Sequence, residues 1–102
     1  MGGYVEYMGR IDLNLAHLNA STGRKWRHEW TGGNCDAYVT YDDPNGVKYW
    51  MVTHDAIAPT TKQEWEEITL GYYDFTDGDD EGTMSDSVGN LSDLIAFFRV
   101  AG

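Results

Sequence analysis

Two β-rich segments joined by a strong turn signal constrain the fold of this chain more than any other feature of its sequence. Residues 36–41 and 47–53 are rich in β-branched and aromatic side chains, and residues 42–46 separate them with the sequence Asp-Asp-Pro-Asn-Gly. Pro44 presets the φ of a turn, while Asn45 and Gly46 supply the positive φ values that hairpin turns require. The sequence therefore predicts a β-hairpin over residues 36–53.

The N-terminal part of the chain also favours strands. Apolar and polar residues alternate over 11–15, which is the period of a half-buried strand. Leu15 and Leu18 lie three positions apart, so a helix over residues 12–19 is the alternative. Residues 26–30 alternate again after a turn-forming stretch, and this pattern predicts a second strand that returns beside the first.

The C-terminal part mixes strand, loop and helix signals. Thr61 can cap a short helix over residues 62–67, and residues 68–75 are rich in β-branched and aromatic side chains, which predicts a strand. Residues 77–90, rich in Gly, Ser and Asp, predict a polar loop. A helix is expected after Asn90, whose side chain can cap it, with Asp93 three positions later.

These elements predict an α+β fold: a twisted antiparallel sheet of four to six strands with a C-terminal helix packed on one face. Residues 1–102 are expected to form a single compact domain, with an acidic loop at about 77–90. The helix carries an apolar stripe at helical spacing. We expect the helix and the hairpin to pack together through Val39, Trp50, Leu94 and Phe98.

Composition narrows the classes of function. The chain has 102 residues and a formal net charge of −10, which argues against direct binding to nucleic acid or to an anionic membrane surface. Neither a signal peptide nor a membrane-spanning apolar run is visible, so we expect a soluble, cytoplasmic protein. Cys35 is the one cysteine of the sequence and is expected to be a small buried side chain.

The negative charge is concentrated in the second part of the chain. Residues 1–62 sum to −1 and residues 63–102 sum to −9, with no Lys or Arg between Lys62 and Arg99. We call residues 64–86 the acidic tract. Like charges held together oppose compaction, so their concentration suggests a binding surface. The predicted partner-binding residues are the nine acids of this tract and one aromatic residue: Glu64, Glu66, Glu67, Asp74, Asp77, Asp79, Asp80, Glu81, Asp86 and Tyr73.

Carboxylates along a strand can imitate phosphates. Alternate strand residues lie about 6.6 Å apart, and phosphates repeat every few ångströms along a nucleic acid. In its size, its acidic tract and its α+β pattern, the chain resembles the small acidic inhibitors that phages and mobile elements encode against CRISPR effectors or restriction enzymes. This resemblance implies a DNA-mimic inhibitor whose partner is a basic, nucleic-acid-binding protein such as a CRISPR effector or a restriction enzyme subunit.

Other functions are compatible with the same sequence. An immunity protein that neutralises a toxin, or another interaction module such as a small phage structural subunit, would have a similar composition. A small metal-binding domain or a small enzyme is a weaker alternative. A calcium loop around Asp77, Asp79, Glu81 and Asp86 is disfavoured because Val88 stands where the bidentate glutamate should be. The three histidines show no metal-ligand spacing, and no nucleophile motif is present. We therefore expect no catalytic residues, no metal and no cofactor.

Overall fold

A computed structural model describes the backbone of residues 2–76 and 83–101, which form three helices and five strands. In chain order these are α1 (Gly2–Thr22), β1 (Arg27–Gly32), β2 (Cys35–Tyr41), β3 (Lys48–Thr53), α2 (Lys62–Trp65), β4 (Ile68–Asp74), β5 (Thr83–Gly89) and α3 (Leu91–Ala101). The fold is α+β, as predicted, with an antiparallel sheet and a C-terminal helix.

The described strands form one antiparallel meander in the order β1-β2-β3-β4-β5. Register defines two sides of the sheet, because successive side chains of a strand point to opposite faces. Tyr38 pairs with Val52, which pairs with Leu70; we call this side the inner face. Val39 pairs with Met51 on the opposite side, the outer face. β1 and β5 are the two edge strands.

The predicted hairpin is present as β2 and β3. In the turn between them, the Gly46 amide donates to the Asp43 carbonyl at 3.3 Å, and Gly46 has a φ of 74°. The Asp43 carboxylate accepts from the amides of Asn45 at 3.1 Å and Lys48 at 2.8 Å. Asn45 itself does not adopt a positive φ. The glycine and the aspartate side chain therefore set this turn.

The predicted N-terminal strand is wrong, because residues 2–22 form a helix, and the alternative of a helix over residues 12–19 is the correct one. Ile11 and Leu18 are fully buried and Leu15 packs against the same core, whereas Leu13 is 73% exposed. Burial thus follows the helical spacing of i, i+4 and i+7. The strand over residues 26–30 does exist as β1, but it pairs with β2 and not with a preceding strand.

The buried core cluster contains inner-face residues of the sheet together with residues of all three helices. The ring of Phe98 contacts the rings of Trp50 and Trp26, each at 5.4 Å between centroids. Leu94 belongs to the same buried cluster. Val39 is buried, but its register places it on the outer face, so the expectation that it contacts α3 is wrong.

In the C-terminal part of the chain, the sequence predicted the starts of α2 and α3 but not β5. α2 begins with the predicted cap, since Thr61 and Glu64 form a capping box. α3 begins as expected, with the Asp93 amide donating to the Asn90 side chain at 2.9 Å. The loop predicted over residues 77–90 is wrong for its second half, which is β5, and residues 77–82 lie outside the described part of the chain. No described helix has the length and apolar composition needed to cross a membrane.

The turn after β3 holds two non-glycine residues in the left-handed region. Asp55 and Ala56 have φ values of 48° and 69°, and His54 and Ile57 exchange backbone hydrogen bonds across them. Such two-residue turns ordinarily carry Asn-Gly, because a Cβ in this conformation costs about 1 kcal/mol. We expect Ala56→Gly to raise the free energy of unfolding by about 0.5–1 kcal/mol in urea denaturation.

An exposed helical position provides the control for this substitution. Ala16 lies in the middle of α1, where Ala→Gly should instead lower the free energy of unfolding by about 0.5–1 kcal/mol. Destabilisation of similar size at both positions would show that the turn stores no strain.

Candidate partner-binding surface

The structure distributes the acidic tract along the hairpin of β4 and β5. Glu66 and Glu67 are exposed and lie directly before β4, while Asp74 ends that strand. Asp86 lies in β5, where its backbone pairs with Gly71 in the middle of β4. The predicted residues Asp77, Asp79, Asp80 and Glu81 fall outside the described residues. The described acids therefore occupy both ends and the middle of one edge hairpin.

The carboxylate of Glu64 is engaged within the fold. Its Oε1 accepts from the amide of Thr60 at 2.9 Å, the hydroxyl of Thr60 at 3.2 Å and the amide of Thr61 at 3.2 Å. Partial burial raises the pKa of Glu64, but these hydrogen bonds outweigh it, so the pKa lies below its usual value. Glu64 stays ionised and holds the start of α2.

The carboxylate of Asp74 interacts with Thr76 in the following turn and with the charge of Lys48. Its Oδ1 accepts from the amide of Thr76 at 2.9 Å and from the hydroxyl of the same residue. These bonds lower the pKa of Asp74, and the charge of Lys48, its register partner on β3, lowers it further. A negative charge is thus maintained at the end of β4 that leads into residues 77–82.

The titratable side chain of His54 lies beside Glu67, directly before the start of β4. The Nδ1 of His54 lies 2.7 Å from the carbonyl oxygen of Glu67, and this hydrogen bond raises the pKa of His54. Asp55 lies 3.4 Å from the other ring nitrogen and favours the charged form as well. Protonation of His54 would therefore reduce the negative potential at the start of β4 in mildly acidic solution.

Tyr73, the predicted aromatic contact, belongs to a row of tyrosines on the outer face. Tyr41, Tyr49 and Tyr73 occupy paired positions on β2, β3 and β4, and we call this row the tyrosine ladder. The ring of Tyr49 lies 5.5 Å from that of Tyr41 and 5.2 Å from that of Tyr73, with the second pair stacked. All three residues are half-buried.

A buried polar cluster around Asp36 has no counterpart in the sequence-based list of candidate residues. Asp36 is 1% exposed, and its carboxylate accepts from the hydroxyl of Tyr7, from Nε2 of His28 at 2.7 Å and from the amide of Ala58 at 2.9 Å. Burial raises the pKa of Asp36, but the hydrogen bonds outweigh it and hold the pKa below its usual value. Burial and the Asp36 charge together raise the pKa of Tyr7.

The geometry of this cluster indicates a structural role. All of its donors point at one ionised carboxylate, and the cluster joins α1, β1, β2 and the segment after β3. Cys35 neighbours Asp36 in the chain but lies on the opposite face of β2, and it is half-buried, not fully buried as expected. By this register the Cys35 thiol does not face His28 of the cluster.

The described residues bring no three metal-ligating side chains together in a group. The three histidines lie apart on α1, on β1 and after β3. Comparisons of the chain with protein-family models, with curated proteins and with solved structures found no match.

Proposed function

We propose that this chain is a small acidic inhibitor that binds a basic, nucleic-acid-binding protein, of the CRISPR-effector or restriction-enzyme type, and blocks its nucleic-acid groove. The observation that carries this proposal is the net charge of −9 in residues 63–102, with no Lys or Arg between Lys62 and Arg99. The resulting field attracts a basic surface and repels nucleic acid.

The length of the β4–β5 hairpin matches a short stretch of nucleic-acid backbone. The seven residues of β4 span about 20 Å, a length along which one strand of a duplex places about six phosphates. Acids stand before β4, at its end and opposite its middle, on a hairpin whose outer strand is an edge of the described sheet. A groove that accommodates a nucleic-acid backbone could therefore receive this edge.

We expect the variant with serine at Asp77, Asp79, Asp80 and Glu81 to associate with the partner at least about tenfold more slowly at low salt, because the long-range field of such charges acts mainly on encounter. The partner is first captured from the host lysate and identified by mass spectrometry. Stopped-flow or surface plasmon resonance measurements then give the association rates across a salt series. The wild-type rate should fall steeply with salt and approach that of the variant.

Two charge-matched double variants separate a local surface from net charge. The substitutions Glu66→Gln and Glu67→Gln neutralise two exposed acids of the tract, whereas Glu6→Gln and Asp12→Asn neutralise two exposed acids of α1. The tract variant should slow association more than the α1 variant. Equal rates would make the charge a general solubility feature.

Competition with nucleic acid tests the inhibitory part of the proposal. Increasing concentrations of the partner's nucleic acid should displace the chain, and bound chain should prevent nucleic-acid binding. Simultaneous binding of both by the captured partner would contradict inhibition at the groove.

A further inference from the structure

The tyrosine ladder lies on the side of the sheet that the helices leave uncovered in the described residues. The core cluster contains Tyr38, Val52 and Leu70 of the inner face, and none of the ladder tyrosines belongs to it. Phe75 continues the aromatic surface, with its ring stacked on that of Tyr49 at 6.1 Å. The outer face therefore presents a continuous aromatic surface across three strands.

One end of the ladder already carries a guanidinium group. The Cζ of Arg27 lies 5.0 Å from the ring centroid of Tyr41, and its side chain is 68% exposed. Its Nε lies 3.2 Å from Oε2 of Glu29, the atom that also accepts from the Tyr41 hydroxyl at 2.7 Å. Neither contact uses Oε1 of Glu29. The fold itself thus shows how this surface holds an arginine, by a tyrosine ring together with a carboxylate.

A depression of about 260 Å³ lies next to this arrangement. Its lining includes the apolar side chains of Val39 and Met51, the rings of Tyr41 and Tyr49, and Glu29. Among the described residues no arginine or lysine lies over the Tyr49 ring. An arginine that enters the depression would place its aliphatic stem on the apolar floor and its guanidinium beside aromatic and carboxylate groups.

Charge decides which partner fits this aromatic surface. A row of half-buried aromatic residues can still stack with nucleic-acid bases, but the chain has a net charge of −10, and Asp74 and the acidic stretch 77–81 follow directly after the ladder position on β4. A basic protein segment satisfies both the aromatic rings and the charge. Arginine suits this surface better than lysine, because its planar guanidinium stacks on rings and binds carboxylates with two donors.

We propose that the tyrosine ladder and the depression beside Glu29 bind arginine side chains of the basic partner, with the acidic tract steering that partner to the surface. This inference rests on the function proposed above and adds the chemistry by which the bound state is held. The acidic tract governs association, whereas the ladder governs dissociation and the preference for arginine over lysine.

Two labelled peptides of equal length and charge, with alternating Arg-Gly or Lys-Gly sequence, serve as probes in fluorescence anisotropy. The arginine peptide should bind the wild-type chain about threefold to fivefold more tightly than the lysine peptide. Tyr49→Leu should remove this preference, whereas the matched control Tyr49→Phe, which keeps the ring, should retain it. Equal affinity of both peptides for the wild type would overturn the inference.

NMR of the wild-type chain keeps the test independent of any folding defect in Tyr49→Leu. Titration with the arginine peptide should shift the ring resonances of Tyr41 and Tyr49 before those of Tyr38, which is buried on the inner face. Unshifted ladder rings at saturating peptide would overturn the inference. Two further results would assign the ladder to another occupant and so overturn the inference. One is tighter binding of a single-stranded oligonucleotide than of the arginine peptide. The other is a dimer of the wild-type chain, seen in sedimentation, that Tyr49→Leu dissociates.

The variant with serine at Asp77, Asp79, Asp80 and Glu81 separates failure of the inference from failure of the proposed function. If this variant loses affinity for both peptides while Tyr49→Leu keeps the arginine preference, the acidic surface stands and the ladder is excluded. If the four substitutions change neither affinity while Tyr49→Leu abolishes the preference, the ladder stands and the steering role of the acidic tract is excluded.

Discussion

Replacing Asp36 with alanine should lower the free energy of unfolding by about 3–5 kcal/mol, because a buried carboxylate that satisfies several donors cannot be removed without leaving them unpaired. The donors are the hydroxyl of Tyr7, the ring of His28 and the amide of Ala58. Urea denaturation monitored by tryptophan fluorescence measures the loss. The same substitution at Asp12, an exposed residue of α1, should change stability by no more than about 0.5 kcal/mol.

The pH dependence of this loss distinguishes the charge of Asp36 from its packing. The pKa of Asp36 is lower in the folded chain than in an unfolded one, so its ionised form stabilises the fold at neutral pH. This contribution is lost as the pH falls below about 4 and passes through the folded pKa. The difference in unfolding free energy between wild type and Asp36→Asn should therefore shrink on acidification. A constant difference would mean that the charge contributes nothing.

Local signals explain why the central hairpin, the α2 cap and α3 could be predicted from the sequence. The turn before Lys48 depends on residues 43–46, and the α2 cap depends on Thr61 and Glu64 alone. Each signal lies within a few positions along the chain, so no tertiary information is needed to interpret it.

The errors lie where the local pattern was ambiguous or where pairing imposed the structure. Residues 11–18 fit both a period of two and a helical period, and the exposure of Leu13 is the feature that separates them. Four of the seven residues of β5, Thr-Met-Ser-Asp-Ser-Val-Gly, are of the turn-forming types Ser, Asp and Gly. It is a strand because its backbone pairs with β4 along its full length, a tertiary effect that overrides propensity.

The candidate sites also combine features visible in the sequence with features that only the tertiary structure creates. Concentrated charge in residues 63–102 is visible in the sequence, but its arrangement at the two ends and the middle of a hairpin required the register of β4 and β5. The partners of Asp36 lie 8, 22 and 29 positions away, so no motif could bring them together. The tyrosine ladder likewise exists only because the register aligns residues of three strands.

Phe98→Ala should lower the free energy of unfolding by about 3–5 kcal/mol, the usual cost of removing a buried phenylalanine ring. Phe98 is 3% exposed and makes edge contacts with Trp26 and Trp50, while the guanidinium carbon of Arg24 lies 5.1 Å from its ring centroid. Its removal would leave a cavity where α3, β3 and the segment before β1 meet. Urea denaturation provides the measurement, with tryptophan fluorescence as the signal.

The neighbouring phenylalanine is a control of identical chemistry. Phe97 contacts Trp50 at 5.2 Å but is 43% exposed, so its substitution by alanine removes less buried area and leaves no enclosed cavity. We expect Phe97→Ala to cost about 1 kcal/mol. The contrast between adjacent positions depends on which side of α3 faces the core, since both substitutions change helix propensity equally. Equal costs at the two positions would contradict the orientation of α3 and the contacts that pack Trp50 against the core.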